Sequence, residues 1–231
     1  MGLGNRENVA YMAIVDPEMA AGMPSRLTAD TGLDALTHAV EGYICTWHTD
    51  LTDGLCAQAA RDILTFLPRA VVDGSDMEAR ERMHHAATCA GLGFGNAMAS
   101  LAHAMGHALG ARYHIPHGRA VALFLPYTVA YVAHQEPGRS AELARRLRLT
   151  EQTGREGALD LARELRRFIG GVGNPTSVKA LGLDREEVVS DLDCLVDDTF
   201  SDTQMVTAAR PPSYDELQQL FLCAYSGDEV D

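Results

Sequence analysis

Several things are scarce in this sequence, and each shortage removes a class of protein. Positive charge is outnumbered: 19 Lys and Arg face 32 Asp and Glu, for a formal net charge of −13. Such a surface repels phosphate backbones, so neither nucleic acid nor an anionic membrane is an expected partner. No apolar run reaches the roughly 18 residues of a membrane span. The opening Met1-Gly2-Leu3-Gly4-Asn5-Arg6 lacks the basic and apolar regions of a secretory signal, which points to the cytoplasm. The five cysteines (Cys45, Cys56, Cys89, Cys194, Cys223) are scattered, odd in number and contain no C-x-x-C pair. A disulfide framework or a zinc ribbon is therefore unsupported, and thiols buried on apolar helical patterns are expected. Strand patterns are nearly missing as well: residues 8–15 form the one short strand-like run, closed by Asp16-Pro17. Repeats, low-complexity tracts and long linkers are absent.

What is present is helical period. The apolar fraction of 46% is enough for a real core, and 22% charged residues is ordinary for a globular chain. Helices are expected near 27–46, 53–72, 77–92, 97–112, 118–134, 139–147, 154–169, 184–200 and 213–225. Glycine and proline mark the breaks, among them Gly93 to Gly95 and Pro116-His117-Gly118. Ser213 with Glu216 reads as a capping box before the last helix. The expectation is one all-α domain over residues 1–231, an extended lead-in at 1–25 followed by a multi-helix bundle at 26–231.

Two pairs at a spacing of four, Asp34 with His38 and His103 with His107, stand inside otherwise apolar segments. That spacing places both side chains of a pair on one helical face, one turn apart. His117 follows at a Pro-His-Gly corner. Asp34 and His38 lie among Leu33, Leu36, Ala39 and Val40, where an unpaired charge would be costly. An Asp–His hydrogen bond between helices would satisfy them, and so would a metal. The second stretch favours a metal, because Ala99, Ala102, Gly106 and Gly110 admit a close backbone but offer the histidines no polar partner. One carboxylate and several imidazoles suit a divalent transition ion and leave it positive enough to polarise an alkoxide or carbonyl oxygen. Between His103 and His107 stand Ala104, Met105 and Gly106, so the glutamate base of an H-E-x-x-H protease is missing.

The segments DALTHAVEGY (34–43), GFGNAMASLAHAMGHALG (93–110) and PHGRAVALFLPY (116–127) closely resemble the iron-containing (group III) alcohol dehydrogenases. The resemblance runs over roughly residues 8–225 and weakens after about 135. It implies that the fold is the family's C-terminal helical domain and that Asp34, His38, His103 and His117 are metal ligands. It further implies that His107 is a catalytic, non-ligand histidine between metal, substrate and nicotinamide. Phe94 and Asn96 match positions near the substrate pocket. The ion implied is Fe²⁺, with Zn²⁺ the alternative, since imidazole suits both. Family members also carry a Rossmann-like domain ahead of this point. Here the only early G-x-G, Gly2-Leu3-Gly4, lies outside any βαβ unit, so NAD(P) is not expected to be held by this chain alone. A homodimer, or association with a cofactor domain, is the expected assembly. Where members tend to have an Asn-Pro-Arg turn, this chain reads Ala208-Ala209-Arg210-Pro211.

Other polar residues have plainer alternatives. His114 could line the substrate pocket, and Trp47-His48 could rim it. Glu41, one turn beyond His38, could orient that ring or cap a neighbouring helix. His84-His85, Asp197-Asp198 and Asp202 read as solvated faces. Three functions compete: a metal-dependent oxidoreductase on a small alcohol or carbonyl substrate; a stand-alone non-haem iron enzyme using O₂, or a metal-dependent lyase; and a non-catalytic, metal-stapled oligomerisation domain.

Overall fold

The structure is a computed structural model that describes residues 10–230. Ten α-helices follow one another among the described residues: α1 (Ser25–Ile44), α2 (Asp50–Val72), α3 (Met77–Ala97), α4 (Leu101–Tyr113), α5 (His117–Ala133), α6 (Gly138–Arg146), α7 (Gly154–Gly171), α8 (Arg185–Ser190), α9 (Leu192–Phe200) and α10 (Tyr214–Ser226). None is long and apolar enough to cross a membrane. Helices α1, α2 and α3 pack together as one group. Helix α5 is the central rod, against α1 on one side and α4, α7 and α10 on others. Its sequence explains this. Ala120 to Leu125 are buried without interruption, and a helix that is apolar all round must be enclosed. Phe124 of α5 meets Phe221 of α10 edge to face at 5.3 Å, which fixes the last helix on the core.

Three sequence expectations need correction. Residues 10–15 form no strand, and residues 8–9 lie outside the described residues; a strand requires a neighbour to take its backbone hydrogen bonds, and none is placed there. The segment expected as one helix over 184–200 breaks at Asp191, which turns its carboxylate to Arg112 and Tyr113 of α4. The expected break at Gly93 to Gly95 lies inside α3. Gly93 serves packing, since a Cβ there would come within 2.5 Å of the Cys56 sulfur of α2, while a Cβ on Gly95 would meet nothing. No disulfide joins the five cysteines. Cys45 and Cys56 are buried, Cys89 and Cys223 half-buried, and Cys194 is exposed.

Candidate metal centre

Asp34, His38 and Glu41 follow one another down a single face of α1 at spacings of four and three. Glycine lets α4 pack closely on α5, and α5 closely on α1. A Cβ on Gly106 would lie 2.7 Å from the Val121 Cα, and one on Gly118 would lie 2.0 Å from the Asp30 carbonyl oxygen. These approaches bring His103 and His107 of α4, and His117 of α5, opposite Asp34.

Asp34 Oδ1 lies 3.1 Å from His117 Nε2, 3.6 Å from His103 Nε2 and 3.7 Å from His38 Nδ1. Yet both Asp34 Oδ1 and His103 Nε2 are buried without a hydrogen bond. Polar atoms crowded together but unbonded have the geometry of ligands around a common ion, since donors about 2.1 Å from a metal sit roughly 3–3.5 Å from each other. One donor atom each from Asp34, His103 and His117 falls within 4.8 Å of the others. His38 stands at the margin of this group. Its ring lies 4.3 Å from that of His103 and stacks on Phe94 at 3.8 Å. The donor set, one carboxylate and three imidazoles, fits a divalent transition ion.

The rear of the site is held by Glu41. Its Oε2 accepts from His103 Nδ1 at 2.6 Å and from the Ser100 amide at 3.1 Å, while Oε1 accepts from the Ala102 amide at 2.6 Å. Glu41 thus caps the start of α4, where amide N–H groups have no intrahelical acceptor, and the Ser100 hydroxyl makes no cap bond of its own. The bond at Nδ1 also turns Nε2 of His103 toward Asp34, the arrangement a ligating histidine needs. Glu41 therefore orients His103, rather than His38 as its sequence position suggested. The turn joining α3 to α4 is strained: Met98 holds φ 79, ψ 157, a region nearly confined to glycine.

Electrostatics match this layout. Burial raises the Asp34 pKa, but the His103 and His117 imidazoles outweigh it and keep the carboxyl well below the usual carboxylate range. Burial, reinforced by His103, brings His38 down to about 3. Burial alone would lower His103 too, yet the carboxylates of Asp34 and Glu41 prevail and push it up to about 9. A proton at His103 is thus where a metal ion would compete.

The front of the site is open. The side chains of His107 and His117 are 37% and 47% exposed, against 3% for His103. Their rings lie 5.1 Å apart and stacked. His107 Nδ1 bonds Asp202 Oδ2 at 2.7 Å. Asp202 was expected on a solvated face, but it also caps a 3-10 turn, Thr203–Thr207, by accepting from the Gln204 amide. Only that N-cap position marked it in the sequence. The remaining candidates fall away from the cluster. His114 is exposed at the left-handed cap of α4 and makes no hydrogen bond or ring contact with the cluster. The exposed Asn96 folds its amide back onto the Leu92 carbonyl at 2.8 Å. His48 lies 3.4 Å from Asp53, and the exposed His85 makes no contact with the centre.

The described residues form an all-α fold of ten helices in which α1, α4 and α5 gather one carboxylate and three imidazoles, and the comparisons with known proteins say which fold it is. The profile of the Fe-containing alcohol dehydrogenase family, C-terminal part, matches residues 28–225, and the chain belongs to that family. It is 37% identical over 223 residues to an NADPH-dependent butanol dehydrogenase of Clostridium saccharobutylicum, covering 95% of this chain and 56% of that protein. It is 34% identical to long-chain-alcohol dehydrogenase 1 of Geobacillus thermodenitrificans, covering 96% and 56%. Among solved structures, an alcohol dehydrogenase from Oenococcus oeni superposes with a TM-score of 0.86 at 34% identity, covering 91% of this chain and 54% of the other. The chain therefore spans about half the length of these relatives.

Proposed function

We propose that this chain is the metal-binding, substrate-activating part of an iron-dependent alcohol dehydrogenase, with Asp34, His38, His103 and His117 holding one Fe²⁺ or Zn²⁺. The observation that carries this is the buried, unbonded pair Asp34 Oδ1 and His103 Nε2, surrounded by further imidazoles. A divalent ion held there supplies Lewis-acid polarisation to the oxygen of a small primary alcohol or aldehyde. The protein's own groups do the rest. Asp34 contributes the anion that attracts the cation. Glu41 fixes His103, and Phe94 covers His38 with an apolar ring. His107, with Nδ1 engaged by Asp202, presents Nε2 on the open face, where it can take or return the substrate proton.

Nothing among the described residues builds the βαβ unit that holds a dinucleotide. Nicotinamide is therefore assigned to the part of the relatives that this chain does not span, and association with such a domain, or a homodimer, completes the site. The main core cluster, running from α1 to α10, supports one domain over the bundle, with a small second cluster at Ala133, Ala141 and Ala158. The test is a titration of the Co²⁺-loaded chain with 1-butanol under argon. A saturable change in the Co²⁺ absorption bands is expected; bands that ignore the alcohol would contradict the proposal. The exposed front also admits dioxygen. Alcohol-dependent O₂ uptake by the Fe²⁺ form without NAD(P) would assign the chain to the oxygen-using reading instead.

A further inference from the structure

The histidines of the centre are not positioned alike. His103 is locked by Glu41 and His107 by Asp202, each through Nδ1. His117 has no such acceptor behind its ring: among the described residues its one carboxylate neighbour is Asp34 itself, and its side chain is half exposed. Its ring is the first residue of α5, at a helix end where backbones fray. Yet Nε2 stands 3.1 Å from Asp34 Oδ1, so its placement must come through the backbone.

Two features next to His117 supply that placement. Arg119, two residues on, donates from Nε to Asp30 Oδ1 at 3.1 Å and from Nη2 to Asp30 Oδ2 at 2.6 Å, and both residues are buried. Asp30 lies one helical turn before Asp34 on α1, so the pair ties the two helices one turn from the ligand atoms. Between them Gly118 leaves no room for a side chain: a Cβ would lie 2.0 Å from the Asp30 carbonyl oxygen and 3.0 Å from the Asp34 Cβ. The far side of the Arg119 backbone is met by the buried Asn174, whose Nδ2 reaches the Arg119 carbonyl at 3.4 Å.

We propose that the Asp30–Arg119 fork is a positioning device for His117, setting the α1–α5 spacing so that His117 meets Asp34 at ligand distance. It does through the backbone what Glu41 does for His103 through the ring. A two-pronged guanidinium fixes both distance and rotation, which a lysine ammonium at the same place cannot do. The pair thereby couples a buried ion pair to the geometry of the metal centre without touching the metal. This inference rests on the metal-centre reading above.

The experiment measures Co²⁺ affinity by chelator competition, together with the Co²⁺ absorption spectrum, for wild type, Arg119→Lys, Arg119→Met and the double variant Arg119→Lys/Asp30→Glu. Arg119→Lys keeps charge and stem, so it remains informative even where Arg119→Met does not fold. Affinity is expected to fall about 10-fold in Arg119→Lys, the lower end of what loss of a supporting partner costs a metal site, with shifted absorption bands. The double variant, in which a longer acid meets the ammonium, restores reach but not the fork, and is expected to regain part of the affinity while its absorption bands stay shifted. Wild-type binding with unchanged affinity and spectrum in Arg119→Lys would overturn this inference alone. Absence of Co²⁺ binding in wild type would overturn it together with the metal-centre reading.

Discussion

The two walls of the centre are built on opposite terms. The rear wall, the buried His103 and Glu41 with the half-buried Asp34, has its charges matched inside the protein by the start of α4 and by imidazole. The front wall, His107 and His117, is open, held by a carboxylate from a late loop and by the backbone of α5. Accuracy without exposure suits groups that bind a metal. Access with fewer constraints suits groups that must meet a reactant and exchange a proton with it. The contrast teaches that one site can be preorganised twice, by side-chain hydrogen bonds where burial makes them strong and by helix spacing where it does not.

Breaking the rear wall should have the largest effect. Glu41→Ala strips a buried charge network of three hydrogen bonds and is expected to cost about 3–5 kcal/mol of stability, with metal affinity down about 10–100-fold; denaturant unfolding of the metal-free protein and chelator competition check both. Next comes the spacing on which the front wall depends. Gly118→Ala places a methyl against the Asp30 carbonyl, so α5 must back away at about 1–3 kcal/mol, and metal binding should weaken in step. Equal metal affinity in Gly118→Ala and wild type would show that His117 is placed by something other than that contact.

A smaller effect belongs to Asp202→Asn. It keeps an acceptor near His107 but removes the charge, for about 1 kcal/mol or less. Metal affinity should stay within about threefold, since His107 is not counted among the ligands, while the ¹⁵N chemical shifts of its ring should change; a large loss of metal would place His107 inside the coordination shell. The smallest is a control away from both walls. Glu216, whose carboxylate accepts from the Ser213 amide as half of the α10 capping box, is held down to about 2 from a usual 4.5. Its contribution is therefore fully present above about 4.5 and lost as pH falls through about 2. Glu216→Ala should cost about 0.5–1 kcal/mol at neutral pH, flatten the acid limb of the stability curve and leave metal binding unchanged.

Much of this was legible in the chain because it is local. Long amphipathic segments such as α2 and α7 announce themselves by period, and Ser213 with Glu216 caps α10 as read. The two spacings of four and the Pro-His-Gly corner converge as expected around Asp34. What was hidden depends on partners far away in sequence. Asp202 finds His107 across 95 positions, and Asp191 breaks a helix because α4 offers it an arginine and a tyrosine. Glu41 sits one turn from His38, and of its two sequence readings, orienting that ring or capping a neighbouring helix, the second is the one found. His114 ends α4 as a left-handed residue, a place its spacing in the sequence did not announce.

Asp34, His38, His103 and His117 are proposed to hold one divalent ion. Metal content by mass spectrometry, on protein purified without oxygen and reconstituted with Fe²⁺, tests it directly when wild type is set beside Asp34→Ala and His103→Ala. About one ion per wild-type chain is expected, and essentially none in either variant. A wild-type chain that stays empty, or variants that stay full, would contradict it.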